Sequence, residues 1–423
     1  MNKISNMNKM SNLFNRILMT VLVIFAFASC RNDISDNEIQ EPVPNREWYK
    51  LISIDTLGGK DMISSITDSH KIEDLPPALF NLLDTMVHTS FLYHSLNGQD
   101  TLTLSGSVCW PLYAKTCSTI WLENHFTTTK WDECPSQNPT PGMIISSFNH
   151  AVFIGADYQG LGLSRDLPQA YFDTKLQAAQ SIDCFKAGLT LLMDWGPVIK
   201  KDYDTYNMGY SLGGGVSMAI ARQVTLEPEL QTVMHLRKSF CGGGPYDQVA
   251  LFMHFLENPA QELELPLEFP CAIMSMYISS QALKKYTMAD IFSSKLINNE
   301  VLDKINTRNY TTGQINGIME SAGCSSLQDI FSPAVMDPDS QLRKDLIAET
   351  SKLDLTVGWT PRIPILCFHS EEDHTVPVQC LQSVKDNMPA DANITYETIQ
   401  EGKHGNTGVL FYMNLLLNHF TLN

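Results

Sequence analysis

The stretch from Tyr206 to Ile220, Tyr-Asn-Met-Gly-Tyr-Ser-Leu-Gly-Gly-Gly-Val-Ser-Met-Ala-Ile, decides the fold. Its first residues read as a short strand and its last as a helix, and the junction is Gly209-Tyr210-Ser211-Leu212-Gly213. A strand that turns into a helix over G-x-S-x-G pushes the serine hydroxyl out over the sheet edge. Glycine two residues to either side lets strand and helix pack closely around that strained position. A serine hydroxyl is a weak nucleophile unless a histidine takes its proton and a carboxylate orients that histidine. The rest of the chain must supply both.

Downstream, Ile363 to Phe368 is a buried-strand run, followed by His369-Ser370-Glu371-Glu372-Asp373-His374-Thr375-Val376-Pro377. Asp373 sits in this loop just before Val376-Pro377 opens a helix, and is the expected acid. Glu371 and Glu372 are rivals, read as solvated loop acids. Ile394 to Ile399 is the last strand, and His404 follows it in Glu401-Gly402-Lys403-His404-Gly405. It is the expected base. His369 and His374 stand five apart on a loop, poor spacing for two ligands on one helix face, so no metal site is read there.

Working upstream, Val87–Leu96 and Thr101–Trp110 are β-rich runs joined by Asn97-Gly98-Gln99-Asp100, a hairpin signal. Ser118–Leu122 and Ala151–Ala156 are short apolar runs. Leu176, Ala179, Ile182, Phe185, Leu189 and Leu192 mark a helix that stops at Gly196-Pro197. Val233 to Cys241 reads as a strand. From about 245 to 362 the pattern is helical, around Val249–Leu256, Cys271–Leu283, Met288–Ile305 and Leu342–Leu353. Strand and helix then alternate again, with helices over Val378–Met388 and Val409–Phe420. Alternation of this kind predicts a mostly parallel sheet with helices on both faces, and sites at the carboxyl ends of its strands.

The intermediate of acyl transfer needs two donors aimed at the developing oxyanion. One is expected from the amide of Leu212. For the second, two loops after earlier strands qualify, Asn124-His125-Phe126 and Asp157-Tyr158-Gln159-Gly160. Gly-Tyr-Ser211-x-Gly, the Asp157-Tyr-Gln-Gly turn, Gly243-Gly244-Pro245-Tyr246-Asp247, Trp359-x-Pro361-x-x-Pro364 and His404-Gly together resemble the secretory-lipase branch of the α/β-hydrolases. The resemblance runs from about residue 85 onward. It implies the α/β-hydrolase fold with a helical lid inserted at about 245–362, and a triad in the chain order Ser211, Asp373, His404. It also implies that Asp157 is the second oxyanion donor. Two positions depart from the family: Gln159 stands where glutamate is common, and Leu212 where the lipase has glycine.

The 423 residues carry a formal charge of −17, and 43% are hydrophobic, enough for a folded core and unsuited to a nucleic-acid surface. Lys3, Lys9 and Arg16 precede an apolar run from Ile17 to Ala28 that is short for a bilayer span and ends in Ala28-Ser29-Cys30. Residues 1–29 are therefore read as a lipoprotein signal, Cys30 as the acylated cysteine, and 30–46 as a polar tether carrying Pro42 and Pro44. Residues 47–423 form the globular unit. Ten cysteines less Cys30 leaves an odd number, so not all can pair; one disulfide among Cys109, Cys117 and Cys134 is compatible with an oxidising compartment.

These readings converge on a serine esterase or lipase, secreted across the inner membrane and lipid-anchored in the cell envelope. It would act without cofactor or metal on a small-molecule or lipid ester. Two alternatives are a serine peptidase of the prolyl-oligopeptidase type and a non-catalytic surface binding lipoprotein. The first usually carries a large domain upstream, for which only about fifty residues are available between tether and first strand. Phe252, Met253, Met274, Met276 and Phe292 of the insertion suit an apolar pocket or, equally, ordinary packing within a lid.

Overall fold

In the computed structural model, residues 46–66 and 80–416 are described. The signal segment, Cys30, nearly all of the tether and the end of the helix expected over Val409–Phe420 lie outside them. The strands are β1 Tyr49–Leu57, β2 Met86–Asn97, β3 Asp100–Pro111, β4 Thr116–Asn124, β5 Val152–Ala156, β6 Val198–Tyr210, β7 Leu236–Gly242, β8 Ile365–Ser370 and β9 Ile394–Ile399. They form one sheet in the order β1-β2-β3-β5-β4-β6-β7-β8-β9. Strands β4 to β9 run parallel to one another, and β1, β2 and β3 close one end through antiparallel pairings. The β2–β3 hairpin turns at Asn97↔Asp100, with Gly98 at φ +64°, as its Asn-Gly demands.

The helices of the body are α1 Gly59–Ile66, α2 Pro141–Phe148, α3 Thr174–Trp195, α4 Leu212–Leu226 and α5 Pro228–Met234. In the insertion come α6 Gln248–Glu257, α7 Glu268–Ser279, α8 Met288–Ile291, α9 Ser294–Asn298, α10 Val301–Thr307, α11 Thr312–Ser321, α12 Leu327–Ile330, α13 Pro333–Met336 and α14 Gln341–Ser351. After β8 come α15 Gln379–Asn387 and α16 His404–Asn414. Side chains alternate across the sheet. Ile120 and Leu122 of β4 pack with Ile182 and Phe185 of α3 and Val216 and Ile220 of α4. Trp121 faces the other way, into a cluster with Met208, Phe240, Phe368 and Phe411. Both faces are covered, as a buried parallel sheet requires.

Several boundaries move from the sequence reading. Val233 and Met234 end α5, and the strand begins only after His235, whose left-handed backbone (φ +45°) caps that helix. The single helical stretch expected over Met288–Ile305 is three short helices. Strand β1 and helices α1 and α2 have no counterpart in the pattern read above. All nine described cysteines are free and buried, so no disulfide joins Cys109, Cys117 and Cys134. Among the described residues no helix is long and apolar enough to cross a membrane.

The insertion carries a core of its own. Phe252, Phe255, Phe269, Phe292 and Phe331 interlock there, with Phe255–Phe269 and Phe269–Phe331 edge to face. Phe252 and Phe292 thus pack the lid's own interior, and Met253, Met274 and Met276 border it. Leu212, Tyr171 and Val376 of the body belong to the same cluster, so the insertion is seated directly over the carboxyl ends of β6 and β8.

Candidate active site

Ser211 forms the turn from β6 into α4 with φ +58° and ψ −126°, a conformation that costs a non-glycine residue on the order of 1–3 kcal/mol. Its surroundings over-determine it. The Ser211 amide donates to the Gly242 carbonyl at 2.9 Å, and its own carbonyl accepts from Gly214 at 2.8 Å. A Cβ on Gly209 would lie 2.3 Å from the Gly213 carbonyl oxygen, and one on Gly213 would lie 1.9 Å from that of Asn124. Neither contact is compatible with a side chain, which is why both positions of the motif are glycine.

Three elements bring the expected triad together. The Ser211 Oγ lies 2.7 Å from His404 Nε2, and His404 Nδ1 lies 2.7 Å from Asp373 Oδ2. Asp373 Oδ1 accepts from the amides of Thr375 and Val376, at 3.0 and 2.9 Å, so the carboxylate is fixed by the turn that opens α15. Ser211, Asp373 and His404 are only 4%, 4% and 6% exposed. Burial by itself would lower the His404 pKa, but the bond to Asp373 and its charge outweigh this and hold it above the ordinary histidine value. Glu371, Glu372 and His374 are exposed, as solvated loop groups should be. His369 is fully buried, bonded through Nε2 to the Val376 carbonyl at 2.9 Å and 4.0 Å from Asp373. It buttresses the acid loop.

Leu212 opens α4, so its amide has no acceptor within the helix and is free to serve an oxyanion. Asp157 departs from the expected role. Its amide already donates to the Ser105 carbonyl at 3.0 Å. Its carboxylate accepts from the Ser105 hydroxyl at 2.5 Å and from the Ser136 amide at 2.9 Å. With its carbonyl bonded to His125 Nε2 at 3.2 Å, the residue fastens β5 to β3, to the loop at Ser136 and to the loop at His125. Gln159, where the family often has an acid, links the hairpin tip at Asn97 to the Pro168 carbonyl. The other loop, Asn124-His125-Phe126, abuts the elbow, as the clash distances at Gly213 show.

Four further residues escaped the sequence reading. The Tyr210 hydroxyl donates to the His404 carbonyl at 2.7 Å and its ring packs on Gly243 and Gly408, so it positions the histidine. Tyr171 and Thr127 share a hydrogen bond of 2.9 Å below the insertion. Glu268, in the first turn of α7, faces the Tyr171 hydroxyl and lies within electrostatic reach of His404 and Asp373. Burial pushes its carboxyl up to about 7. The signal for it was a lone acid inside the apolar run Leu265-Pro266-Leu267-Glu268-Phe269-Pro270.

No protein-family model matches the chain, and no curated protein does. Solved structures do. An esterase from Xanthomonas oryzae described as rice cell wall degrading is 18% identical, with a TM-score of 0.65 over 86% of this chain and 94% of its own. A putative hydrolase from Legionella pneumophila is 17% identical, with a TM-score of 0.66 over 88% and 97%. Lipase A of Candida antarctica in its closed state is 13% identical, with a TM-score of 0.57 over 84% and 77%. At such identities the likeness is one of fold, and that fold is the α/β-hydrolase.

Proposed function

We propose that the chain is a serine ester hydrolase. Ser211 attacks the ester carbonyl while His404 Nε2 takes its proton, and Asp373 orients His404 and stabilises the imidazolium that forms. The oxyanion is met by the Leu212 amide and by a second amide from the Asn124–Phe126 loop, which lies against the elbow. His404 returns the proton to the departing alcohol, leaving Ser211 acylated, and then activates the water that releases the acid. The observation that carries this reading is the unbroken Ser211–His404–Asp373 relay, at 2.7 Å in both contacts, on a strained strand-to-helix turn. The esterases and lipase that share the fold support the choice of an ester over other acyl substrates.

The test is a fluorophosphonate probe, which should label the wild type and not Ser211→Ala. A panel of p-nitrophenyl esters against peptidyl amides then separates an esterase from a peptidase. Turnover of amides with inert esters would overturn the reading, as would a wild type that does not label.

The basic start, apolar run and Ala28-Ser29-Cys30 support export, acylation of Cys30 and retention on a membrane. Several acyl chains hold a protein firmly where one does not. Detergent-phase partitioning of the wild type and aqueous-phase partitioning of Cys30→Ser is the expected pair. If both stay in detergent, the apolar run is an uncleaved anchor; if both are aqueous, Cys30 carries no lipid.

A further inference from the structure

A cavity of about 610 Å³ opens between the insertion and the loop that follows β5, lined by Arg165, Asp166, Ile278, Asn306 and Arg308 among others. Arg308 caps α10 in the left-handed region (φ +58°), and its carbonyl accepts from the Trp131 amide at 2.9 Å. Its backbone is thereby pinned to the body. The residue is 5% exposed. Nη1 donates to the Ile305 carbonyl at 3.0 Å, Nε has no partner, and among the described residues no carboxylate pairs with the guanidinium.

That arrangement is costly on its own. Withdrawing a guanidinium from water without a counter-ion is strongly unfavourable, and buried charges are ordinarily paired. The ionisable group nearest in influence is the Cys271 thiol, which burial pushes up to about 12, so it brings no negative charge at neutral pH. At the rim, the exposed Arg165 adds a second guanidinium, 4.5 Å from the Trp131 ring centroid. Asp166 beside it is the one acid of the lining. Glu268, Cys271 and Ile278 share one face of α7. The first lies by the triad and the last in the cavity wall, ten residues and so about 15 Å along the helix.

We infer that this cavity binds a carboxylate, with the Arg308 guanidinium as its counter-ion and Arg165 as a second contact at the rim. That the carboxylate is the free end of the ester substrate, remote from the scissile bond, rests on the hydrolase reading; the site itself does not.

Titration calorimetry with glutarate at low ionic strength tests the site on the whole protein. Saturable binding is expected, weakened about tenfold or more in Arg308→Met, since truncating one partner of a buried charge pair is expensive. Arg308→Lys should bind between the two, and Arg165→Met should bind several-fold more weakly than the wild type. The exposed Arg165 keeps the test valid if Arg308→Met does not fold. No saturable binding, or binding indifferent to both arginines, overturns the proposal. A second arm compares the p-nitrophenyl monoester of a long dicarboxylic acid with its methyl-capped diester. A preference for the free acid of about tenfold in kcat/KM, lost in Arg308→Met, places the carboxylate on the substrate. Arginine-dependent glutarate binding with both esters cleaved alike supports the site and excludes the substrate as its source. Absence of labelling by a fluorophosphonate would sink the hydrolase reading and leave the titration standing.

Discussion

The environments of three neighbouring acids separate Asp373 from Glu371 and Glu372. Asp373 is buried, takes two backbone amides on one oxygen and gives the other to His404, whereas both glutamates are exposed. Asp373→Asn is expected to cut kcat about 10⁴-fold by breaking the relay. Glu371→Gln and Glu372→Gln should stay within about twofold of wild type, because surface changes away from a site do little. A dead Glu372 variant would misplace the acid by one residue. The same bond fixes the pH profile. His404 must be neutral to accept the serine proton, and Asp373 holds it protonated to higher pH than the ordinary value of 6.5. kcat/KM should therefore rise through one ionisation with a midpoint above 6.5, and in Asp373→Asn the residual activity should titrate lower, since burial then faces only the weaker pull of Glu268 and Glu264 on the ring. Ser211, Asp373 and His404 were legible because each sits next to a strand end with its own signal. Asp157 was not, because the string around it says nothing of whether its amide is already bonded.

Elements show where packing overrules local preference. Glycine at 213 and at 317 looks alike in sequence. A Cβ at Gly213 meets the Asn124 carbonyl at 1.9 Å, while one at Gly317, inside α11, meets nothing within 4 Å. Gly213→Ala should therefore be destabilised by about 4 kcal/mol or more, among the exceptional losses for one substitution. Gly317→Ala should gain about 0.5–1 kcal/mol from helix propensity. Thermal melting of the pair checks both, and a Gly213→Ala melting like the wild type would contradict the close approach. Strands β2, β3, β5 and β8 were readable because hairpin chemistry or continuous apolar runs mark them. Strand β1 was not, since its apolar alternation changes phase at the irregularity between Leu51 and Ser53. The three helices within Met288–Ile305 were fused in the reading because the Ser293 cap and the left-handed Glu300 that divide them are local and the apolar spacing runs across both breaks. Glu268 adds a pH dependence to α7. Its carboxyl lies at about 7 when folded against an ordinary 4.5, so the stability it contributes is full below 4.5 and lost as pH rises through about 7. Glu268→Gln should melt higher relative to wild type at pH 8 than at pH 5, by an amount bounded by roughly 3 kcal/mol.

At the scale of the whole molecule the triad is complete and covered. Ser211, Asp373 and His404 are each less than a tenth exposed, and the insertion core closes on Leu212 beside the nucleophile. With Ser211 so covered, the expectation is that a substrate reaches it when the insertion moves off the strand ends, access then being an equilibrium between this closed arrangement and a more open one. The polar contacts between insertion and body include the Trp131 amide on the Arg308 carbonyl, the Thr129 hydroxyl on the Tyr310 carbonyl and Lys403 on Glu264, and, nearest the triad, the buried set of Thr127 and Tyr171 from the body and Glu268 from α7. Tyr171→Phe removes the hydroxyl that faces Glu268 from the body side; a loss of about 1 kcal/mol to the closed form is close to a fivefold change in the open fraction. Tyr171 is not part of the relay, so Tyr171→Phe should leave the intrinsic reactivity of Ser211 alone. Its second-order rate of fluorophosphonate labelling should rise about fivefold in plain buffer. A sub-denaturing amphiphile, which stabilises the apolar surface that opening exposes, should accelerate the wild type toward the same rate and the variant less. Equal labelling of both proteins in buffer and with amphiphile would mean that the insertion does not gate Ser211 and that the probe enters by another route.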